Sequence, residues 1–263
     1  MLDRSKAYDI VCIGHICHDL IDEGFKTGGA VYFAALETIK SKKEVCVLTS
    51  IDPHDISLKE ICNKGVVVMN QESKHTTCFI NQYVDDKRVQ FLPVLASSLR
   101  TEWILSHLPK SKAVFICPVA DEIDVGILEK IESGFLACSI QGWLRKRNEN
   151  GQVVPKSMGW NKLKYADVIF LSYEDIDGLD DALAELCLLD NIIVVTDGDK
   201  GADIFINGNK QHFPAVPSKL VDPTGAGDIF ATAFIIRYLQ HNDLSDAMIH
   251  AHLAASEHIA KTR

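Results

Sequence analysis

Residues 221–234 read VDPTGAGDIFATAF, which sets two glycines and a carboxylate, Asp228, at the mouth of a run that is apolar almost all round. A turn made of Gly225, Ala226 and Gly227 lets bare amides approach a ligand. A helix beginning there adds the positive end of its dipole, and the two together make an anion site. A carboxylate beside such a site repels phosphate, but it makes sense as a base that takes the proton from a hydroxyl attacking phosphorus. The same spacing suits an Asp that does no more than cap the helix, with Asp222 close by. The two commonest nucleotide patterns, G-x-x-x-x-G-K-[ST] and G-x-G-x-x-G after the first strand, do not occur.

Other chemistry-bearing clusters carry less. In HICHD, the residues His15, Cys17, His18 and Asp19 are all metal-ligand types. On a strand, however, His15, Cys17 and Asp19 share one face and His18 takes the other, so closing a zinc site would need distant residues. The run Arg145, Lys146, Arg147 ahead of NENG reads as a solvated turn rather than a phosphate contact, and Trp143 beside it reads as core. His250 and His252 are about 200° apart around a predicted helix and do not face each other.

The elements that must position these groups follow from apolar patterning. YDIVCIG, EVCVLTSI, AVFICPV, FLACSIQ, ADVIFLS and NIIVVTDG are short apolar runs of the kind covered on both faces. Helical spacing recurs at 31–40, 123–132, 180–189, 229–240 and 245–261. The alternation predicts an α/β chain with a doubly wound, mainly parallel central sheet and helices on both faces, as one domain over 1–263. Residues 76–94, TTCFINQYVDDKRVQFLPV, instead alternate apolar and polar types around a Val-Asp-Asp-Lys turn. That is a β-hairpin, serving as a small lid or as a plain edge hairpin.

A net charge of −9 argues against a nucleic-acid partner, which needs a cationic face. No apolar run approaches the ~18 residues of a membrane span. Eight scattered cysteines without a C-x-x-C pair read as buried thiols, which predicts a cytoplasmic protein.

DPTGAGD followed by an apolar helix resembles the second signature of the ribokinase (PfkB) family of ATP-dependent sugar kinases. VCIGHICHDL, GGAVYFAA, SIQGWLRKRNENGQVV and VVTDGDKGADIF agree with further family segments in order and spacing. The resemblance implies a ribokinase-like fold that uses ATP and Mg2+ to phosphorylate a small sugar or polyol. By position it makes Asp228 the catalytic base and Gly225, Ala226 and Gly227 the anion hole, supported by Asp222 and Thr224. It assigns Asp19, Gly28, Gly29 and Phe33 to the substrate, and Thr196, Gly198, Gly201 and Thr224 to the nucleotide. Asp175, with Glu174 beside it, would handle magnesium through water. The resemblance also admits a homodimer.

The chain departs from the family in several places. Phe33 stands where many members have Asn, SYED (Ser172 to Asp175) replaces Asn-x-x-Glu, and Ser139 replaces an Asp. The stretch between Asp19 and Gly28 reads as too short for two lid strands, leaving a reduced β-hairpin lid. The pattern is similar to the plant myo-inositol kinase type within the family. A nucleoside kinase of the same fold, with Tyr32 and Phe33 lining a base pocket, and a retired kinase that binds a ligand for regulation remain open beside it.

Overall fold

The computed structural model describes residues 6–84 and 87–261 of the chain. Its strands, in chain order, are β1 (Tyr8–Ile13), β2 (Cys17–Leu20), β3 (Phe25–Gly28), β4 (Val45–Thr49), β5 (Val67–Asn70), β6 (Thr77–Val84), β7 (Lys87–Val94), β8 (Ser111–Ile116), β9 (Leu136–Ser139), β10 (Arg145–Arg147), β11 (Val153–Pro155), β12 (Val168–Ser172), β13 (Ile192–Thr196), β14 (Ala202–Ile206) and β15 (Asn209–Phe213). The helices are α1 (Ala30–Lys40), α2 (Ile56–Asn63), α3 (Thr101–His107), α4 (Ala182–Leu186), α5 (Ala226–His241) and α6 (Leu244–Ile259).

All six apolar runs enter one nine-stranded sheet of order β15-β14-β13-β12-β9-β8-β1-β4-β5. The pairings from β13 to β5 are parallel, and only the β14–β15 edge is antiparallel. These runs are apolar at every position because each strand feeds two cores. On β1, Ile10 and Cys12 join the core beneath α1, α5 and α6, while Val11 and Ile13 join the one beneath α3 and α4. From β1 the chain builds outward to β4 and β5, then crosses back to β8 on the other side. The carboxyl ends of β1 and β8 therefore flank the topological switch point, where open α/β sheets bind ligands. The strands are close there, since a Cβ on Gly14 would lie 2.5 Å from the Cys117 carbonyl oxygen.

Three expected helices form within a few residues of their predicted bounds, as α1, α5 and α6. The stretch 123–132 yields only a 3-10 turn, Val125–Glu129, where the Asp124 carboxylate accepts the Gly126 amide at 2.6 Å. That side-chain acceptor offers the backbone an alternative to an α-helix. The stretch 180–189 shrinks to α4, which starts after a left-handed Asp181 and stops before Leu188, 83% exposed. Helix α2, not expected, begins where Asp55 accepts the Ser57 amide at 2.9 Å.

The expected hairpin at 76–94 is β6 and β7, although the Asp85 and Asp86 of its turn lie outside the described residues. It belongs to a larger sheet of order β3-β2-β6-β7, which corrects the view that the Asp19 to Gly28 stretch is too short for strands. Two four-residue strands fit because the chain reverses within 21–24, where Gly24 takes φ +92°. Strand β7 is also tied to the β10–β11 hairpin, with the Leu92 amide donating to Gly151 O at 2.8 Å and Phe91 bridging Gln152.

All eight cysteines are free thiols, and Cys62 on α2 is exposed rather than buried. Among the described residues no helix is long and apolar enough to cross a membrane.

The second sheet is held to the large one through His18 on β2. Its Nε2 lies 3.1 Å from both Asp55 Oδ1 and Ser57 Oγ, and Phe25 stacks on the ring at 3.5 Å. Thr76 donates to the other Asp55 oxygen. Burial alone would lower the His18 pKa, but the Asp55 carboxylate and its hydrogen bond outweigh it and raise the ring to about 9. Burial would raise Asp55, and the His18 hydrogen bond overrides that, holding the carboxyl at about 2. With its folded pKa above the ordinary 6.5, His18 contributes stability fully below about pH 6.5 and loses it as pH rises through 9. His18→Gln should therefore cost about 2–3 kcal/mol in urea unfolding at pH 6 and almost nothing above pH 9.5. An equal cost at both pH values would contradict the charged pair.

Candidate active site

The approach to α5 is shaped by close packing. Gly225 precedes the helix at φ +81°, and a Cβ there would enter the Phe33 ring at 2.4 Å. Glycine is required on both counts. The Asp222 Oδ1 accepts the Thr224 amide at 2.9 Å, and the Pro223 carbonyl accepts the Ala226 amide at 3.1 Å, folding the chain into the turn. From below, His258 on α6 donates from Nε2 to the Thr224 carbonyl at 2.8 Å. Its ring meets Phe33 edge-on at 5.6 Å. Within the first turn of α5 the Ala226 amide is taken by Pro223, and a helix start generally leaves its other first amides without partners inside the helix. Residues Ile229 to Ile236 are all buried, so α5 is clamped between the large sheet, α1 and α6.

Asp228 sits in the first turn of α5 and caps nothing: the capping position is Gly225, with no side-chain cap bond. Among the described residues its carboxylate accepts no hydrogen bond. Burial pushes its pKa up to about 7; Arg145 works against the rise, and Asp175 and Asp19 add to it. Four groups from four separate segments thus act on one another: Asp19 on β2, Arg145 on β10, Asp175 after β12, and Asp228.

Each neighbour is held in turn. Asp19 Oδ1 accepts Asn81 Nδ2 at 3.3 Å, and Gln90 donates to Asn81 Oδ1 at 2.7 Å, a polar row across β2, β6 and β7. A Cβ at Gly28 would strike the Asp19 carboxylate at 2.6 Å, and one at Gly29 the His15 carbonyl at 2.3 Å. The SYED segment is a capping box, with Ser172 Oγ taking the Asp175 amide at 3.1 Å and Asp175 Oδ2 taking the Ser172 amide at 2.9 Å. Gln141 Nε2 holds the other Asp175 oxygen at 2.9 Å. Lys26 on β3 reaches across to Asp222, Nζ to Oδ2 3.7 Å.

The other residues expected at the site are placed as follows. Phe33 is 2% exposed beneath Gly225 and His258, so it supports the turn rather than lining a substrate space. Thr196 ends β13 beside Ser172, and Gly198 is exposed in the next turn. Gly201 is buried where a Cβ would lie 2.1 Å from Phe213 O, a close approach of strands. Glu174 is exposed. In the HICHD cluster, His15 lies between Thr77 Oγ1 (2.8 Å) and the Ser97 carbonyl (3.1 Å), and His18 serves Asp55. Trp143 is core and donates to the Ile123 carbonyl at 2.6 Å. Arg145, read from the sequence as part of a solvated turn, is a member of the site. The available signal was strand alternation after QGWL, which separates Arg145 from its exposed neighbour Lys146.

Residues 161–263 match the model of the pfkB family carbohydrate kinases. Over that segment the chain is similar to this family. The matched segment contains the α5 turn, and the remainder agrees through its fold. Inositol 3-kinase of Arabidopsis thaliana is 26% identical over 97% of this chain and 75% of its own length. A pyrophosphate-dependent kinase of the ribokinase family, solved with a pyrophosphate analogue and myo-inositol, superimposes with a TM-score of 0.81. It is 24% identical, and the match covers 95% of this chain and 94% of that one. An uncharacterized sugar kinase from Pyrococcus horikoshii in complex with ATP gives a TM-score of 0.71 at 18% identity, over 97% and 93% of the two chains.

The raised Asp228 carboxyl has a cost in folding. The folded protein keeps this proton up to about pH 7, whereas the unfolded chain releases it near 3.8, so stability falls as pH rises between the two values. Asp228→Asn should melt roughly 5 °C or more above the native protein at pH 8, and the gap should close below pH 4. A native protein as stable as the variant at pH 8 would contradict the raised carboxyl.

Proposed function

We propose that this protein is an ATP-dependent kinase that phosphorylates a hydroxyl of a small polyol or sugar, with an inositol-like ring as the first acceptor to consider. The observation that carries the reading is Asp228: a carboxyl raised to about 7, with no hydrogen-bond partner among the described residues, in the first turn of a helix whose start carries no side-chain cap. A base with that pKa is half-ionised at neutral pH, when it must accept the alcohol's proton. As the proton passes to Asp228, the alcohol oxygen forms a bond to the γ-phosphorus. The bond to the leaving oxygen breaks, and its electron pair departs with ADP. The Gly225 and Gly227 amides and the helix dipole, with Ala226 holding the turn through Pro223, stabilise the charge on the moving group, and Arg145 adds a cation.

Asp19, Asn81 and Gln90 form a hydroxyl-binding row on the second sheet, which acts as a lid. A polar row favours a polyol over a nucleoside base, and the burial of Phe33 removes the aromatic wall that a nucleoside pocket would use. The complete second sheet and the intact Ser172–Asp175 capping box likewise weaken the regulatory reading. Thr196 and Gly198 would lie along the donor phosphates.

Magnesium fits the all-oxygen donor set here as a companion of the donor phosphates, which it binds through few carboxylates and several waters. Asp175, with Glu174 nearby, would hold it through water, and bound there it offsets phosphate charge. Likeness to the pyrophosphate-dependent kinase favours pyrophosphate as a second donor to test. The free thiols suit a cytoplasmic setting.

Phosphorylated product should form from ATP and magnesium with one member of a panel of myo-inositol, ribose, fructose and nucleosides, and kcat/KM should rise with pH through about 7. Asp228→Asn should lose about 10³-fold or more in kcat while still binding ATP. Turnover by the variant at the native rate would remove Asp228 from the mechanism. Product from pyrophosphate alone would replace ATP as donor.

A further inference from the structure

Beyond the base and the anion turn, the second sheet brings a lysine, Lys26, to the turn before α5. Asp19 and Lys26 are cross-strand partners on β2 and β3, so their side chains leave the sheet on the same face. Asp19 acts on Asp228, and Lys26 spans from the sheet to the turn that leads into α5, with its Nζ 3.7 Å from Asp222 Oδ2. The other oxygen of Asp222 already shapes that turn through the Thr224 amide. An ion pair this wide and this exposed adds little to folding stability, so stability does not explain the ammonium's position.

The charge balance of the cleft gives the position a use. Asp19, Asp175, Asp222 and Asp228 are all carboxylates, with Arg145 as a cation on the β10 side. A phosphoryl group in transfer spreads negative charge over three equatorial oxygens and would enter this acidic cleft with cationic help from one side only. Lysine is a mobile point charge on a four-carbon stem and can leave one anion for a stronger one nearby. Resting on the kinase reading above, we infer that Lys26 is a catalytic cation carried by the second sheet: its ammonium passes from Asp222 to the transferred phosphoryl group and shares that charge with Arg145. No proton leaves Lys26; the alcohol's proton still goes to Asp228 and the leaving electron pair to the donor's remaining phosphate.

The test compares native protein, Lys26→Met and Lys26→Arg in turnover and, without acceptor, in calorimetric titration with ATP or inorganic pyrophosphate. Lys26→Met should melt within about 2 °C of native, because the exposed pair adds so little to folding. It should lose about 10²-fold in kcat, with the acceptor KM within about twofold of native. Lys26→Arg should recover a large part of the loss by keeping the charge. Native kcat and native donor KM in Lys26→Met would overturn the inference while leaving the kinase reading intact. Should the native protein turn over no acceptor, the kinase reading fails separately, and the titrations decide. Weaker anion binding in Lys26→Met then supports the lysine's contact with phosphate. Equal binding, or no binding of either anion by native protein, overturns it.

Discussion

A half-buried carboxylate beside a helix start is the constraint around which the site is built. An ionised acid in such surroundings is unfavourable, and its neighbours Asp175 and Asp19 make it more so. The structure holds Asp228 in place because α5 cannot shift: its next two turns are buried, and its entry is fixed by Gly225 on the Phe33 ring. Arg145 offsets part of the charge from a different segment. On the proposed kinase reading, the arrangement gives up stability for a proton acceptor near neutrality, a common exchange at active sites.

The large sheet explains why distant segments meet there. Parallel strands deliver all their following loops to one edge, and the switch of direction after β5 opens a crevice between the ends of β1 and β8. The loop after β1 leads into the second sheet with Asp19 and Lys26, the loop after β9 carries Gln141, and the turn after β12 carries Asp175. His18 and Asp55 then anchor the second sheet over that edge.

The central strands were legible because full burial leaves an unbroken apolar run, and the DPTGAGD turn because its glycines and acid have few other uses together. Short elements were not. Helix α2 depends on one capping aspartate, and β2 and β3 depend on a reversal at Gly24 that no hydrophobic period announces. The packing of Phe33 beneath Gly225 was not legible because sequence position puts it on the correct helix without saying which way its ring points. Arg145 and Lys26 were missed for the same reason: an isolated basic residue looks solvated until the fold brings a carboxylate to it. Asp175 was readable as an oxygen donor, but its capping box with Ser172 becomes visible only as geometry.

The backbone tie between β7 and the β10–β11 hairpin has a mechanical consequence. Arg145 begins the hairpin that Leu92 and Phe91 grip through Gly151 and Gln152. Any hinge of the second sheet away from the large one must either break that seam or drag the arginine's strand along with it. If the second sheet serves as the proposed lid, enclosure of the cleft and delivery of its positive charge are geared to a single movement, and a half-shut cleft is also one with its electrostatics incomplete.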